Sequence, residues 1–238
     1  MSSIYANRID AGRLLAEAVA ARRWPGRCVV LALPRGGVPV GAAVARALGA
    51  PLDLLLVRKI GAPGQPELAV AAVVDGTPPQ RVVDETVCAA LGVERHCIDG
   101  RMAEALCEIE RRRRAYLRGR PPIDIEGATA IVVDDGVATG TTVRATLRAL
   151  RQRRPQRLVL AVPVAPEDTL DALRGEVDDI VCLQTPWPFH AVGAFYRDFH
   201  QVSDDEVLAE LDALVPAVPP GRSAPAAPPS SLTPPRRG

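Results

Sequence analysis

Between Arg27 and Gln184 the chain keeps returning to one pattern: a short apolar run, then a stretch with helical period. The runs are CVVLAL (28–33), LDLLLV (52–57), TAIVV (129–133), RLVLAVPV (157–164) and DIVCL (179–183). VPVGAAVARALG follows Gly37 and closes at Gly49; TTVRATLRALRQR and PEDTLDALRG follow later runs. Strands that are apolar throughout and alternate with helices predict an α/β fold. Its sheet is doubly wound, mainly parallel and covered on both faces. An N-terminal helix is predicted with Asp10 as its cap and Leu14, Leu15, Ala18 and Val19 on one face. Residues 81–118 have helical period with a break near Gly92, which predicts a helical insert over about 79–120. One domain over residues 1–214 accounts for all of this. The stretch 215–238 is rich in Pro and Ala and poor in large apolar residues, so a disordered tail is predicted there.

Composition excludes several classes. The formal net charge of the 238 residues is +1, so no basic field draws the chain to nucleic acid. Five scattered cysteines with no C-x-x-C pair predict reduced thiols in a cytoplasmic protein and argue against zinc. No apolar run is long enough to cross a membrane, and no signal peptide is legible.

The chemistry concentrates in AIVVDDGVATGTT (130–142). In an open parallel sheet, ligands bind beyond the carboxyl ends of the strands, which is where Asp134 and Asp135 fall. Gly136 and Gly140 permit tight turns, Thr139, Thr141 and Thr142 bring hydroxyls, and the next helix begins there. Its free N–H groups and positive dipole end suit a phosphate. One side accepts hydrogen bonds and the other donates them to an anion, which matches a sugar phosphate. A nucleotide P-loop is excluded because residues 129–150 contain no lysine.

IVVDDGVATGTT resembles the phosphoribosyl pyrophosphate (PRPP) signature of the type I phosphoribosyltransferases. The stretches 33–73, 111–122 (RRRRAYLRGRPP) and 189–207 resemble an uncharacterised bacterial branch of that family, and the likeness runs over residues 7–207. The resemblance implies the type I fold and PRPP with Mg²⁺ as ligand and cofactor. Asp134 and Asp135 would hold the ribose hydroxyls, Asp134 directly or through Mg²⁺, and both would serve as metal residues by direct or indirect contact. The loop Gly136, Val137, Ala138, Thr139, Gly140, Thr141 and Thr142 would hold the 5-phosphate. P-R-G-G after the first run matches the pyrophosphate loop, with Arg35 as a fixed charge and Gly36 and Gly37 leaving backbone N–H groups uncovered; a strained or cis peptide is implied near Arg35–Gly36. Arg58 and Lys59, after the second run, would neutralise the leaving pyrophosphate. The Gly and Pro residues beyond them predict a loop able to close over the site, with Glu67 either a Mg²⁺ contact or plain surface.

RRRRAYLRGR reads first as the solvated face of a helix. By the resemblance, Arg114, Tyr116 and Arg118 would belong to a lid. Phe189, His190, Phe195 and Tyr196 are either a small satellite core or a hood over an acceptor base. His190 and His200 lack metal-ligand spacing. Ala138 stands where 6-oxopurine transferases often carry an aspartate, which argues against such an acceptor. The implied reaction transfers the phosphoribosyl group to a nitrogenous acceptor and releases pyrophosphate, with Arg35, Arg58, Lys59 and Asp135 as catalytic groups. The competing readings are a non-catalytic PRPP or nucleotide sensor and a hydrolase using water. The resemblance also makes a homodimer an expectation.

Overall fold

The computed structural model describes residues 4–76 and 79–214, with the backbone alone for 65–69. The tail expectation therefore lies outside the described residues, as does the side chain of Glu67.

Five parallel strands form the central sheet: β1 (Cys28–Ala32), β2 (Leu52–Leu54), β6 (Thr129–Val133), β7 (Arg157–Val164) and β8 (Asp179–Gln184). Their order is β2-β1-β6-β7-β8. Every β6 residue is buried, as the all-apolar run TAIVV requires of a central strand covered on both faces. Complete burial of one side chain such as Ile131 or Leu160 contributes about 1.5–3 kcal/mol. The chain leaves β1 toward β2 on one side and later runs from β6 to β7 and β8 on the other. The order reverses between β1 and β6, which opens a crevice at their carboxyl ends.

Helices α1 (Arg8–Ala20) and α2 (Gly37–Leu48) pack on one face, where Leu15, Val19, Val40 and Val44 meet Val30, Ile131 and Val159. Helix α5 (Thr141–Arg151) covers the other face through Val143, Leu147 and Leu150. The cap of α1 is Asn7, not Asp10: Asn7 accepts from the Asp10 amide, and the Asp10 carboxylate accepts in return from the Ala6 amide. The helix starts earlier because this reciprocal pair satisfies its first donors. Gly49, with φ +58°, ends α2 where the sequence places its stop.

The largest departure from expectation follows β2. The run 52–57 divides: Leu52–Leu54 pairs with β1, and Val57 opens a separate antiparallel sheet. That sheet comprises β3 (Val57–Ala62), β4 (Gln65–Val74) and β5 (Gln80–Val83) in the order β3-β4-β5. The predicted closing loop is thus a hairpin, and the start of the predicted helical insert is a strand. Two helices then follow, α3 (Glu85–Leu91) and α4 (Arg95–Leu117), broken as expected at Gly92, which adopts φ +63°. The hairpin is stable because both its faces are covered. Ile60, Val70 and Val73 pack on Ile98, Met102 and Ile109 of α4, while Val57, Val74 and Val82 join the α5 side.

Helix α6 (Glu167–Leu173) follows β7. Beyond β8, residues 185–203 cross back over the sheet edge to helix α7 (Asp204–Leu214), whose Val207 and Leu211 complete the α4 core. No helix among the described residues is long and apolar enough to cross a membrane.

Candidate active site

The β1 and β6 loops meet face to face in the crevice. The Leu33 amide donates to the Val133 carbonyl at 2.9 Å. A Cβ on Gly36 would lie 2.0 Å from Asp135 Oδ2, and one on Gly37 would lie 2.7 Å from the Val133 carbonyl oxygen. These glycines are needed because the two loops approach so closely. The Gly37 amide is not uncovered, since it donates to the Leu33 carbonyl at 3.0 Å. The non-proline cis peptide is Pro34–Arg35, one bond before the expected place. We expect Gly37→Ala to destabilise the fold by about 1–3 kcal/mol, because the Val133 carbonyl oxygen and the Asp134 Cα, both backbone, lie 2.7 and 2.9 Å from the new methyl. Urea unfolding tests this, and an unchanged midpoint would show that the loops can separate freely.

Asp134 and Asp135 lie at the crevice floor. Burial and the neighbouring Asp135 charge push the Asp134 carboxyl well above the usual carboxylate range. Burial also raises Asp135, with Arg8 pulling the other way. Arg8 Nε donates to Asp135 Oδ2 at 2.7 Å, and their side chains are 8% and 14% exposed. Arg8 Nη1 donates to the His200 carbonyl at 2.7 Å, and its guanidinium lies 3.9 Å from the Phe199 ring centroid. The Tyr196 hydroxyl donates to the Asp135 carbonyl. Burial and the Asp135 charge raise the pKa of that hydroxyl.

Sequence reasoning missed Arg8. The signal was available: the buried face of α1 runs Arg8, Ala11, Gly12, Leu15, Ala16, Val19, so helical period carries a charged residue onto the apolar stripe.

The loop after Asp135 is tied down from outside. The Val137 amide donates to the Val164 carbonyl at 3.0 Å, and Thr169 Oγ1 donates to the Ala138 carbonyl at 2.7 Å. Gly140 takes φ +71° at the start of α5, with the Thr169 methyl 2.9 Å from where its Cβ would be. No side chain caps α5. Its first-turn amides therefore lack helical partners, next to the Thr139 and Thr141 hydroxyls, whose oxygens are 3.5 Å apart.

The phosphoribosyl transferase domain family matches residues 1–198 of this sequence. The chain belongs to that family. A Mycobacterium tuberculosis H37Rv protein named "Putative phosphoribosyl transferase" is 45% identical over 210 residues, which cover 88% of this chain and 46% of that protein. The chain thus spans about half the length of the curated relatives it matches. The crystal structure of TT1426 from Thermus thermophilus is 39% identical. Its TM-score is 0.79, over 90% of this chain and all of that one.

The remaining expected site residues scatter more than the sequence implies. Arg58 and Lys59 alternate on β3 and so face opposite sides of the hairpin. Lys59 shares a cleft with Thr139 and Thr141 that Arg58 does not line, and both residues border a second one with Arg101 and Glu104. Arg35 Nη1 reaches Asp204 at 3.4 Å, at the start of α7. The lid residues lie on and just after the last turn of α4, not in a loop. Arg114 pairs with Glu110 and Arg118 with Asp212. The buried Tyr116 donates to Asp204 at 2.6 Å, and its hydroxyl pKa is pushed up to about 12 by burial and by that bond. The arginine run is otherwise a helix face paired with Glu108 and Asp75. Phe195 and Tyr196 join Tyr5 and Val164 in a satellite core, with Phe189 stacked on Phe195.

His200 carries a second structural role. Its ring nitrogens meet Asp198 at 3.1 Å and Glu206 at 2.8 Å, and these bonds raise its pKa. A raised folded-state value means that the stabilising contribution is complete below the unfolded value near 6.5 and is lost as pH rises through the folded one. The stability difference between wild type and His200→Gln should therefore be largest near pH 6 and shrink as pH rises into the alkaline range. Thermal melts across that range test it, and a constant difference would rule out the charged pairing.

Proposed function

We propose that this chain binds PRPP with Mg²⁺ and transfers the phosphoribosyl group to a nitrogenous acceptor, releasing pyrophosphate. The observation that carries this reading is the placement of the uncapped α5 N-terminus beside Asp134 and Asp135 in the switch-point crevice. The helix end and Thr139, Thr141 and Thr142 donate to the 5-phosphate. The carboxylates accept from the ribose hydroxyls, with Arg8 holding Asp135 in place.

Mg²⁺ commonly takes one or two carboxylates and fills its remaining positions with substrate oxygens and water. Asp134 Oδ1 accepts from the Asp135 amide and Asp135 Oδ2 from Arg8, so either carboxylate would hold the ion through its other oxygen. When bound, the ion would neutralise oxygens of the sugar and the pyrophosphate. Catalysis then rests on positioning and on cations near the leaving group, for which Arg35 is the candidate, since Lys59 lies beside the 5-phosphate loop. The exposed Ala138 offers no proton acceptor, so the acceptor must lose its proton elsewhere or bring a nitrogen that needs no base. That same residue favours the sensor as second reading.

Calorimetric titration with PRPP and Mg²⁺, then pyrophosphate release across a panel of bases, decides between them. Binding with base-dependent release is the expected result. Binding without release makes the protein a sensor, release without any base makes it a hydrolase, and no binding overturns the proposal.

A further inference from the structure

Beside the 5-phosphate loop, a cleft runs between β3–β4 and the first turns of α5. Its floor is apolar, made by Val70, Ala72 and Val82. Its rim is cationic. Lys59 rises from β3 with no carboxylate partner among the described residues. Arg144 and Arg148 come from α5, one and two turns below Thr141. Arg148 is already paired with Glu176 at 2.7 Å. Asp84 sits at the cleft margin, with its carboxylate capping α3 through the Val87 amide at 3.0 Å.

Arg144 is different. Its Nε is the buried side-chain nitrogen that has no hydrogen-bond partner among the described residues. Its one polar contact is a long one, from Nη2 to the Ala172 carbonyl at 3.5 Å. A guanidinium so poorly satisfied is costly to keep beside an apolar wall unless an acceptor arrives. The low dielectric of that wall strengthens attraction to an anion. Thr139 and Thr141 line this same cleft, so an anion in it would be the direct neighbour of one on the loop amides.

We infer that this cleft is a second oxyanion subsite, with Lys59 and Arg144 taking a phosphoryl group next to the one on the 5-phosphate loop. The inference rests on the PRPP-site reading above. The phosphoryl group has two sources: the β-phosphate of a ribonucleoside 5′-diphosphate, or a free phosphate ion beside a 5-monophosphate. Both present tetrahedral oxygens to a planar guanidinium and an ammonium.

Calorimetry on the full chain with PRPP and Mg²⁺, and with AMP, ADP, ribose 5-phosphate and inorganic phosphate, at one ionic strength, separates the cases. A charge-assisted pair should make one phosphoryl increment on the order of tenfold in affinity. If the source is a diphosphate, ADP binds tighter than AMP by that factor. If it is the free ion, inorganic phosphate tightens ribose 5-phosphate binding instead of competing with it. Arg144→Gln should abolish the increment, leave AMP and ribose 5-phosphate within about twofold, and keep the melting temperature, since the wild-type side chain makes so little contact. Arg144→Lys should retain part of the increment. An increment that is absent from wild type, or that survives Arg144→Gln, overturns the inference. PRPP bound with no increment sinks the subsite alone. Failure of PRPP, AMP and ribose 5-phosphate to bind sinks the PRPP site and this subsite together.

Discussion

Replacing Arg8 with alanine is expected to cost about 3–5 kcal/mol of stability at neutral pH, because it strips the counter-charge from a buried carboxylate. The Arg8–Asp135 pair is 2.7 Å long and nearly closed to solvent. The same substitution removes the contacts to the His200 carbonyl and the Phe199 ring, so residues 196–203 also lose an anchor. The sign with pH follows from the carboxylate. Without Arg8, the folded-state pKa of Asp135 rises further above its unfolded value near 3.9, and an acid raised in this way loses stability as pH climbs. The deficit against wild type should therefore be smallest near pH 4 and largest near pH 7. Urea denaturation at both values measures it. A deficit that does not change with pH would mean that Arg8 contributes packing and not charge. Asp135→Asn in the Arg8→Ala background should recover part of the loss, since the amide carries no charge to strand.

Asp135→Asn alone is expected to weaken PRPP binding by about tenfold while the protein still folds. A hydrogen bond to a charged carboxylate contributes about 1.5–3 kcal/mol against about 0.5–1.5 kcal/mol for a neutral acceptor, a difference of about 1–1.5 kcal/mol. Arg8 keeps an acceptor in the amide oxygen, so the melting temperature should fall by only a few degrees. Calorimetry gives the affinity and circular dichroism the fold. Unchanged affinity in a folded variant would remove Asp135 from the binding site.

The parallel layer was legible because its strands are all-apolar runs bounded by turn residues. β6 and β7 occupy the residues that their patterns predict. The hairpin was not legible. Val57–Ala62 has Arg58 and Lys59 at its centre and leads into Pro63 and Gly64, so local signals read it as a loop. What makes it a strand is the cover that α4 and α5 give its faces, and no local pattern reports that. Likewise, Asp135 stood out as an acid at a strand end, but its partner lies 127 residues away in the chain. The glycines of P-R-G-G were visible, yet their reason was not: across the crevice Gly36 faces the Asp135 carboxylate and Gly37 the Val133–Asp134 backbone.

By itself, the sequence determined the alternation of strands and helices, the stops at Gly49 and Gly92, and the acid-glycine-threonine loop. Each follows from short-range rules of period, φ preference and burial. The tertiary structure alone decided which cations meet which anions. Arg8 goes to Asp135, Arg35 to Asp204, and Lys59 to the side of the phosphate loop. Charge pairing depends on distance in space, and chain folding sets that distance independently of separation along the sequence.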